Sequence, residues 1–238
     1  MAVKGAVPMT MEVEVYGRIG WLVLFLVGVF TADVMAAIVE VELEGGSVIT
    51  TERFGSGADR ILWLPSEYGS ASGNERQLAK AVAGKGFEVW LVDLHGSYFL
   101  APGRTSLERV PLAEMRELIG LAQPQNGRLY LLSYGRGAAL ALKAARQGQP
   151  DAQRAASLGG ALLFHPNLMA GTAKAGEPPR FAPIAGGSNL PLFIFQPMNS
   201  AKRWYLEELV EQLQRGGSDI FYRPLANVSD GFQVRGDA

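Results

Sequence analysis

The sequence predicts an α/β protein: a mainly parallel sheet with helices on both faces, preceded by an antiparallel hairpin. Three observations carry that prediction. Short, nearly continuous apolar runs such as "FEVWLVDL" and "LPLFIFQP" have the composition of strands buried on both faces. They alternate with stretches of helical spacing, "GNERQLAKAVAGKG" and "AKRWYLEELVEQLQRGG", and strand–helix alternation builds parallel sheets. Upstream, "AIVEVELEGG" alternates apolar and acidic residues, and Gly45-Gly46 separate it from "SVITTERF", which reads as a hairpin.

In chain order, "DRILWLPSEYG" is a strand stopped by Pro65. The following helix places Leu78, Ala79, Val82 and Ala83 on one face and is stopped by Gly84 and Gly86. After "FEVWLVDL", the stretch "SLERVPLAEMRELIGLA" predicts a helix beginning near Pro111, because proline is tolerated in a first turn. A strand over Arg128–Leu132 leads through a glycine-tight turn into a helix over Arg136–Arg146. "LGGALLFHP" is the next strand, and 167–189 is a long loop rich in Gly, Pro and Ala. The strand "LPLFIFQP", the amphipathic helix and a last strand, "SDIFYRPL", complete the pattern. Trp204 and Tyr205 on that helix are expected to pack it against the sheet.

Composition narrows the function. The chain has 238 residues, 48% hydrophobic and 19% charged, enough for one substantial core. Lys and Arg number 22 against 23 Asp and Glu, without the basic excess of a nucleic-acid binder. No cysteine is present, which removes disulfides, thiolate zinc sites and a cysteine nucleophile. With only His95 and His165, a His-rich metal site is not expected, and no phosphate loop calls for a nucleotide cofactor.

The N-terminal stretch sets Arg18 before an apolar run from Ile19 to Phe30, followed by small residues including Val34 and Ala36. This is the layout of a secretory signal peptide, with cleavage after residue 36. The run is short for a membrane span, which needs roughly 20 residues. Residues 1–36 are therefore assigned to a signal peptide or signal anchor, with 19–30 as the anchoring segment. Residues 37–238 form the folded domain, exported to the periplasm or extracellular space.

The turn Ser133-Tyr134-Gly135-Arg136-Gly137 carries the most specific signal. Small residues flank a strand-to-helix turn, the pattern of a nucleophile elbow, G-x-S-x-G. On this turn and the order of elements, the chain resembles the α/β-hydrolase fold family over roughly Val39 to Phe232. That resemblance implies a nucleophile at the tip, an acid after the penultimate strand and a histidine after the last one. The positions that match hold Gly135, Asn199 and Asp230. Glycine adopts the strained tip without cost but has no reactive atom, and an ordinary aspartate is far too acidic for the imidazole's role. The family also supplies an oxyanion-hole amide from the loop occupied here by Ser66-Glu67-Tyr68-Gly69. Glu67 is unfavourable beside an oxyanion unless it points away.

The resemblance therefore implies a hydrolase-like domain with a degenerate catalytic set. Ser133 and His165 are the weak alternatives for catalysis. Ser66, Tyr68, Tyr134, Arg136 and His165 are the candidates for ligand binding, Arg136 because it opens a helix that favours anions. His165 and His95 both follow strands, the side on which parallel sheets bind ligands. Asp93 is expected to cap the loop after its strand. The leading expectation is a non-catalytic binding or scaffold domain with an unknown small-molecule or protein partner. The first alternative is an active esterase- or peptidase-type hydrolase using Ser133 or Ser66 with His165. The second is a cell-envelope interaction domain working with another domain or subunit, which an exposed apolar patch where a closing helix should pack would support.

Overall fold

The computed structural model describes residues 36–69, 72–148, 157–172 and 176–232. The expected signal segment thus lies outside the described residues except for Ala36. Among the described residues, no helix is long and apolar enough to cross a membrane.

Eight strands form one sheet in the order β1-β2-β4-β3-β5-β6-β7-β8. They are β1 Ala37–Glu42, β2 Val48–Phe54, β3 Asp59–Trp63, β4 Phe87–Asp93, β5 Leu129–Tyr134, β6 Leu158–Phe164, β7 Leu192–Pro197 and β8 Ile220–Leu225. The β1–β2 and β2–β4 pairs are antiparallel, and all pairs from β4 to β8 are parallel. Among the described residues the α-helices are α1 Gly73–Ala83, α2 Leu94–Ser97, α3 Leu112–Leu121, α4 Gly137–Gly148 and α5 Leu206–Arg215.

Strand alternation divides the core into two layers. On one face, Phe54, Ile61, Trp63, Val89, Leu91 and Leu132 pack against Ala79 and Ala83 of α1. On the other, Leu62, Leu64, Trp90, Val92, Leu129 and Leu131 pack against α3, α4 and α5 through residues such as Met115, Leu118, Ala141, Leu209 and Leu213. Each fully buried side chain of this kind contributes about 1.5–3 kcal/mol of transfer free energy. The same parity governs the elbow strand: Tyr134 falls in the α1 layer, and Ser133, one residue earlier, points to the α4 side.

Helix α1 starts on a reciprocal cap. Ser72 Oγ accepts from Glu75 N at 3.2 Å, and Ser72 N donates to Glu75 Oε2 at 2.6 Å, satisfying two amides that the helix leaves open. Helix α3 begins at Leu112 with Pro111 as its N-cap, after a 3₁₀ turn over Ser106–Arg109. Helix α5 differs from expectation. Ala201–Tyr205 form a 3₁₀ turn, capped by Ser200 Oγ on Lys202 N at 3.1 Å, and the α-helix begins only at Leu206. Consequently Trp204 does not pack against the sheet. It is 69% exposed, and the Arg203 guanidinium lies 4.3 Å above its ring. The long loop contains an isolated Met169–Phe181 bridge and a 3₁₀ turn over Pro183–Gly186.

Candidate functional site

The elbow is built as its glycines require. Gly135 takes φ +56°, a left-handed conformation that costs side-chain-bearing residues about 1–2 kcal/mol. At Gly137, a Cβ would collide with the Pro65 carbonyl oxygen and with Ser133 Oγ. Glycine at this position lets α4 approach β3 and β5. Ser133 is fully buried under that contact and is not among the residues lining the cavity described next.

A cavity of about 610 Å³ opens at the C-terminal ends of the parallel strands, walled by Ser66, Glu67, Tyr134, Gly135, His165 and Asp230 among others. Four of the ligand-binding candidates line it: Ser66, Tyr68, Tyr134 and His165. The fifth, Arg136, contributes differently. Its side chain lines a neighbouring cavity of about 460 Å³ together with Arg104 and Lys143. Its backbone N–H instead serves the main site, donating to Glu67 Oε2 at 2.8 Å.

Glu67 is the residue whose placement sequence reasoning missed. It does not point away from the elbow. Its carboxylate accepts from the amide just past the tip, and a Cβ on Gly135 would stand 2.6 Å from Oε2. The side chain is buried and fixed from behind: Glu67 O accepts from Gly103 N at 2.8 Å and from Ser106 Oγ at 2.9 Å. Since Ser106 Oγ donates there, it accepts from the His95 Nε2–H, 3.1 Å away. His95 is thus a loop tether, and the Ser106–His95 pair is committed to holding Glu67. Asp93 caps α2 as expected, accepting from Gly96 N at 2.8 Å.

His165 follows β6 at φ +37°, a sparsely populated backbone state for a bulky residue. Its Nε2 accepts from Gly231 N at 3.3 Å, so the proton of the neutral ring sits on Nδ1, 4.0 Å from Asp230 Oδ1. Asp230 is also ion-paired with Lys202 Nζ. Burial opposes ionisation of Asp230. Hydrogen bonds from Lys202 and Ser200, with the charges of Lys202 and His165, outweigh that and hold its carboxyl below the usual range. An imidazole beside the elbow and a carboxylate after the last strand thus meet at the cavity, whereas Asn199 is exposed and absent from its wall.

Tyr134 and Glu75 also line the cavity, the Tyr134 ring lying 6.1 Å from that of His165. The Tyr134 hydroxyl donates to Glu75 Oε1, while Glu75 Oε2 takes the Ser72 amide of the cap. Burial first, and then the neighbouring Glu75 charge, push the Tyr134 hydroxyl well above its ordinary pKa. Sequence reasoning missed Glu75 too, although the Ser72-x-x-Glu75 spacing marks it as a capping residue. Lys202 carried no sequence signal, because its role depends on the 3₁₀ turn.

No protein-family model and no curated protein matches the chain. Solved structures do. A dienelactone hydrolase-like promiscuous phosphotriesterase from metagenomic libraries is 18% identical with a TM-score of 0.58, over 83% of this chain and 84% of that one. A putative dienelactone hydrolase from Klebsiella pneumoniae subsp. pneumoniae is 14% identical with a TM-score of 0.61, over 84% and 88%. A Pyrobaculum calidifontis esterase is 15% identical with a TM-score of 0.61, over 96% and 88%. With the strand order and the elbow geometry, these likenesses establish that the chain has the α/β-hydrolase fold.

Proposed function

We propose that the chain is a binding protein built on a hydrolase fold, holding a small polar molecule in the cavity and performing no serine-dependent acyl transfer there. The observation that carries this reading is the Glu67 carboxylate on the Arg136 amide, against the bare Cα of Gly135. In acyl transfer that amide stabilises a developing oxyanion. Here it is neutralised by an internal anion, and the adjacent tip has nothing to attack with. His165 supports the same reading, because its basic nitrogen is engaged by the Gly231 amide.

The cavity is suited to binding. Its volume is within the range of small-molecule pockets, and a few fixed polar groups line it. Glu67, Glu75 and Asp230 contribute carboxylates against the one ammonium of Lys202, which favours a neutral or cationic molecule rich in hydroxyl or amine donors. The sequence pattern of residues 1–36 supports placing this activity outside the cytoplasm.

One observation favours a second reading, an active serine hydrolase: Ser66 and His165 line the same cavity. Against it, Ser66 Oγ already accepts from Tyr68 N at 3.1 Å. The test is to treat the purified chain with a fluorophosphonate probe and weigh it intact, measuring short-chain ester turnover in parallel. No adduct and no turnover are expected, together with thermal stabilisation by a polyol or amine that is lost in His165→Ala. An adduct mapped to Ser66 or any other single serine overturns the binding reading.

A further inference from the structure

Strand β8 ends the sheet and is unlike a protected edge. Among the described residues it pairs only with β7, and four of its six residues are exposed. Phe221 is 57% and Tyr222 51% exposed. Phe193 of β7 lies beside Phe221 with ring centroids 5.6 Å apart. Both rings are on the sheet face that α1 covers at its other end, and both are exposed. Natural sheets blunt free edges with charged residues, prolines, bulges or covering elements; β8 carries Arg223 and Pro224 toward its end, but its first half presents aromatic rings.

We propose that the β8 edge is the seam of a homodimer, two copies pairing β8 antiparallel about a two-fold axis at Phe221. The backbone favours this register. Asp219 O, just before β8, accepts from Leu192 N of β7, and Leu225 O accepts from Met198 N, just past β7, so odd-numbered residues of β8 direct their polar groups inward. Even-numbered residues direct theirs to the open edge. An axis at Phe221 sets Ile220 opposite Tyr222 of the second copy, and both residues pair their N–H and C=O groups completely. The ladder stops where it must: the next pair would join Pro224, which has no N–H, to Ser218, whose N–H is already given to Leu213 O.

The side chains agree with the backbone. On the aromatic face the same axis stacks Phe221 on Phe221 and sets Asp219 against Arg223 twice, opposite charges meeting in both places. Moving the axis by one residue to Tyr222 sets Ile220 C=O against Pro224 and Arg223 against Phe221, losing both complementarities. An edge so nearly self-complementary fits a second copy of this chain better than an unrelated strand.

The absence of cysteine makes the test clean. In this register the two Phe221 positions form a non-hydrogen-bonded pair with Cα atoms about 4.5 Å apart, within the span of a disulfide. The two Asp219 positions lie roughly 13 Å apart, from about 3.3 Å per residue along the strand. In the full chain, Phe221→Cys is expected to form a covalent dimer under mild oxidation, and Asp219→Cys is not. Light scattering on the cysteine-free chain is expected to give a dimer. Asp219→Arg is expected to raise its Kd roughly two- to thirty-fold, with Asp219→Arg/Arg223→Asp restoring it. A monomer throughout the micromolar range overturns the proposal. So does a dimer that Phe221→Cys fails to trap, since the copies then meet elsewhere or another segment covers the edge. Equal trapping by the two cysteine variants overturns the register.

Discussion

Replacing Gly135 with alanine measures the contact on which the functional reading depends. Two costs are expected. The backbone at φ +56° costs an alanine about 1–2 kcal/mol. The new Cβ would stand 2.6 Å from Glu67 Oε2, so the carboxylate must leave the Arg136 amide that it holds at 2.8 Å. A hydrogen bond to a charged group is worth about 1.5–3 kcal/mol. Gly135→Ala should therefore destabilise by about 2.5–5 kcal/mol. Glu67→Ala should lose the same hydrogen bond by a different route, about 1.5–3 kcal/mol. In the double variant the collision has no partner, and only the backbone cost is added. The two substitutions should thus be sub-additive by about 1.5–3 kcal/mol, the hydrogen bond being lost only once. Urea unfolding of all four proteins, followed by tryptophan fluorescence, supplies the cycle. Additivity to within about 0.5 kcal/mol would refute the argument, because the carboxylate would then not occupy the elbow.

Three further outcomes follow from the same site. Ser106→Ala removes the link between His95 and the Glu67 carbonyl; at about 0.5–1.5 kcal/mol per bond, urea unfolding should show a loss of about 1–3 kcal/mol. Asp230 has a folded pKa below the ordinary value, so its ion pair contributes stability above the unfolded pKa of about 3.9 and loses it as pH falls through the folded value. Lys202→Met should accordingly be less stable than the parent at neutral pH, with the gap closing in acid-unfolding curves below about pH 4. Tyr134 has a folded pKa above the ordinary value of about 10, so its contribution is complete below that pH and lost as pH rises further. In an ultraviolet titration Tyr134 and Tyr98, both raised by burial and a neighbouring glutamate, should ionise well after the others, and Tyr134→Phe should remove one of those two late ionisations while leaving buried Glu75 short of a donor.

The amino-acid sequence by itself determined the layers. Apolar runs of strand length and the helical spacing between them gave the sheet strands and their order along the chain. The glycines at 135 and 137 marked the elbow, because glycine answers local needs: a positive φ at the tip and room for a helix behind it. That glycine stands at the tip was equally legible. The start of α5 was not, because the spacing that continues through Ala201–Tyr205 is the same in an α-helix and a 3₁₀ turn for so short a stretch. In the fold the stretch is a 3₁₀ turn capped by Ser200, with Trp204 exposed and Lys202 paired with Asp230.

What occupies the tip was decided only by tertiary structure. Glu67 and Arg136 are 69 residues apart, and His165 and Gly231 are 66 apart. They meet because parallel crossovers return each strand from β3 to β8 with its C-terminal end on the same side of the sheet. Sequence spacing carries no record of which side chains then face one another across that rim. Parity settled the rest: one residue's difference along β5 sends Ser133 beneath α4 and Tyr134 toward Glu75. A carboxylate that looked out of place in the sequence is, in the fold, the group held against the elbow, since only the folded chain brings the Arg136 amide within its reach.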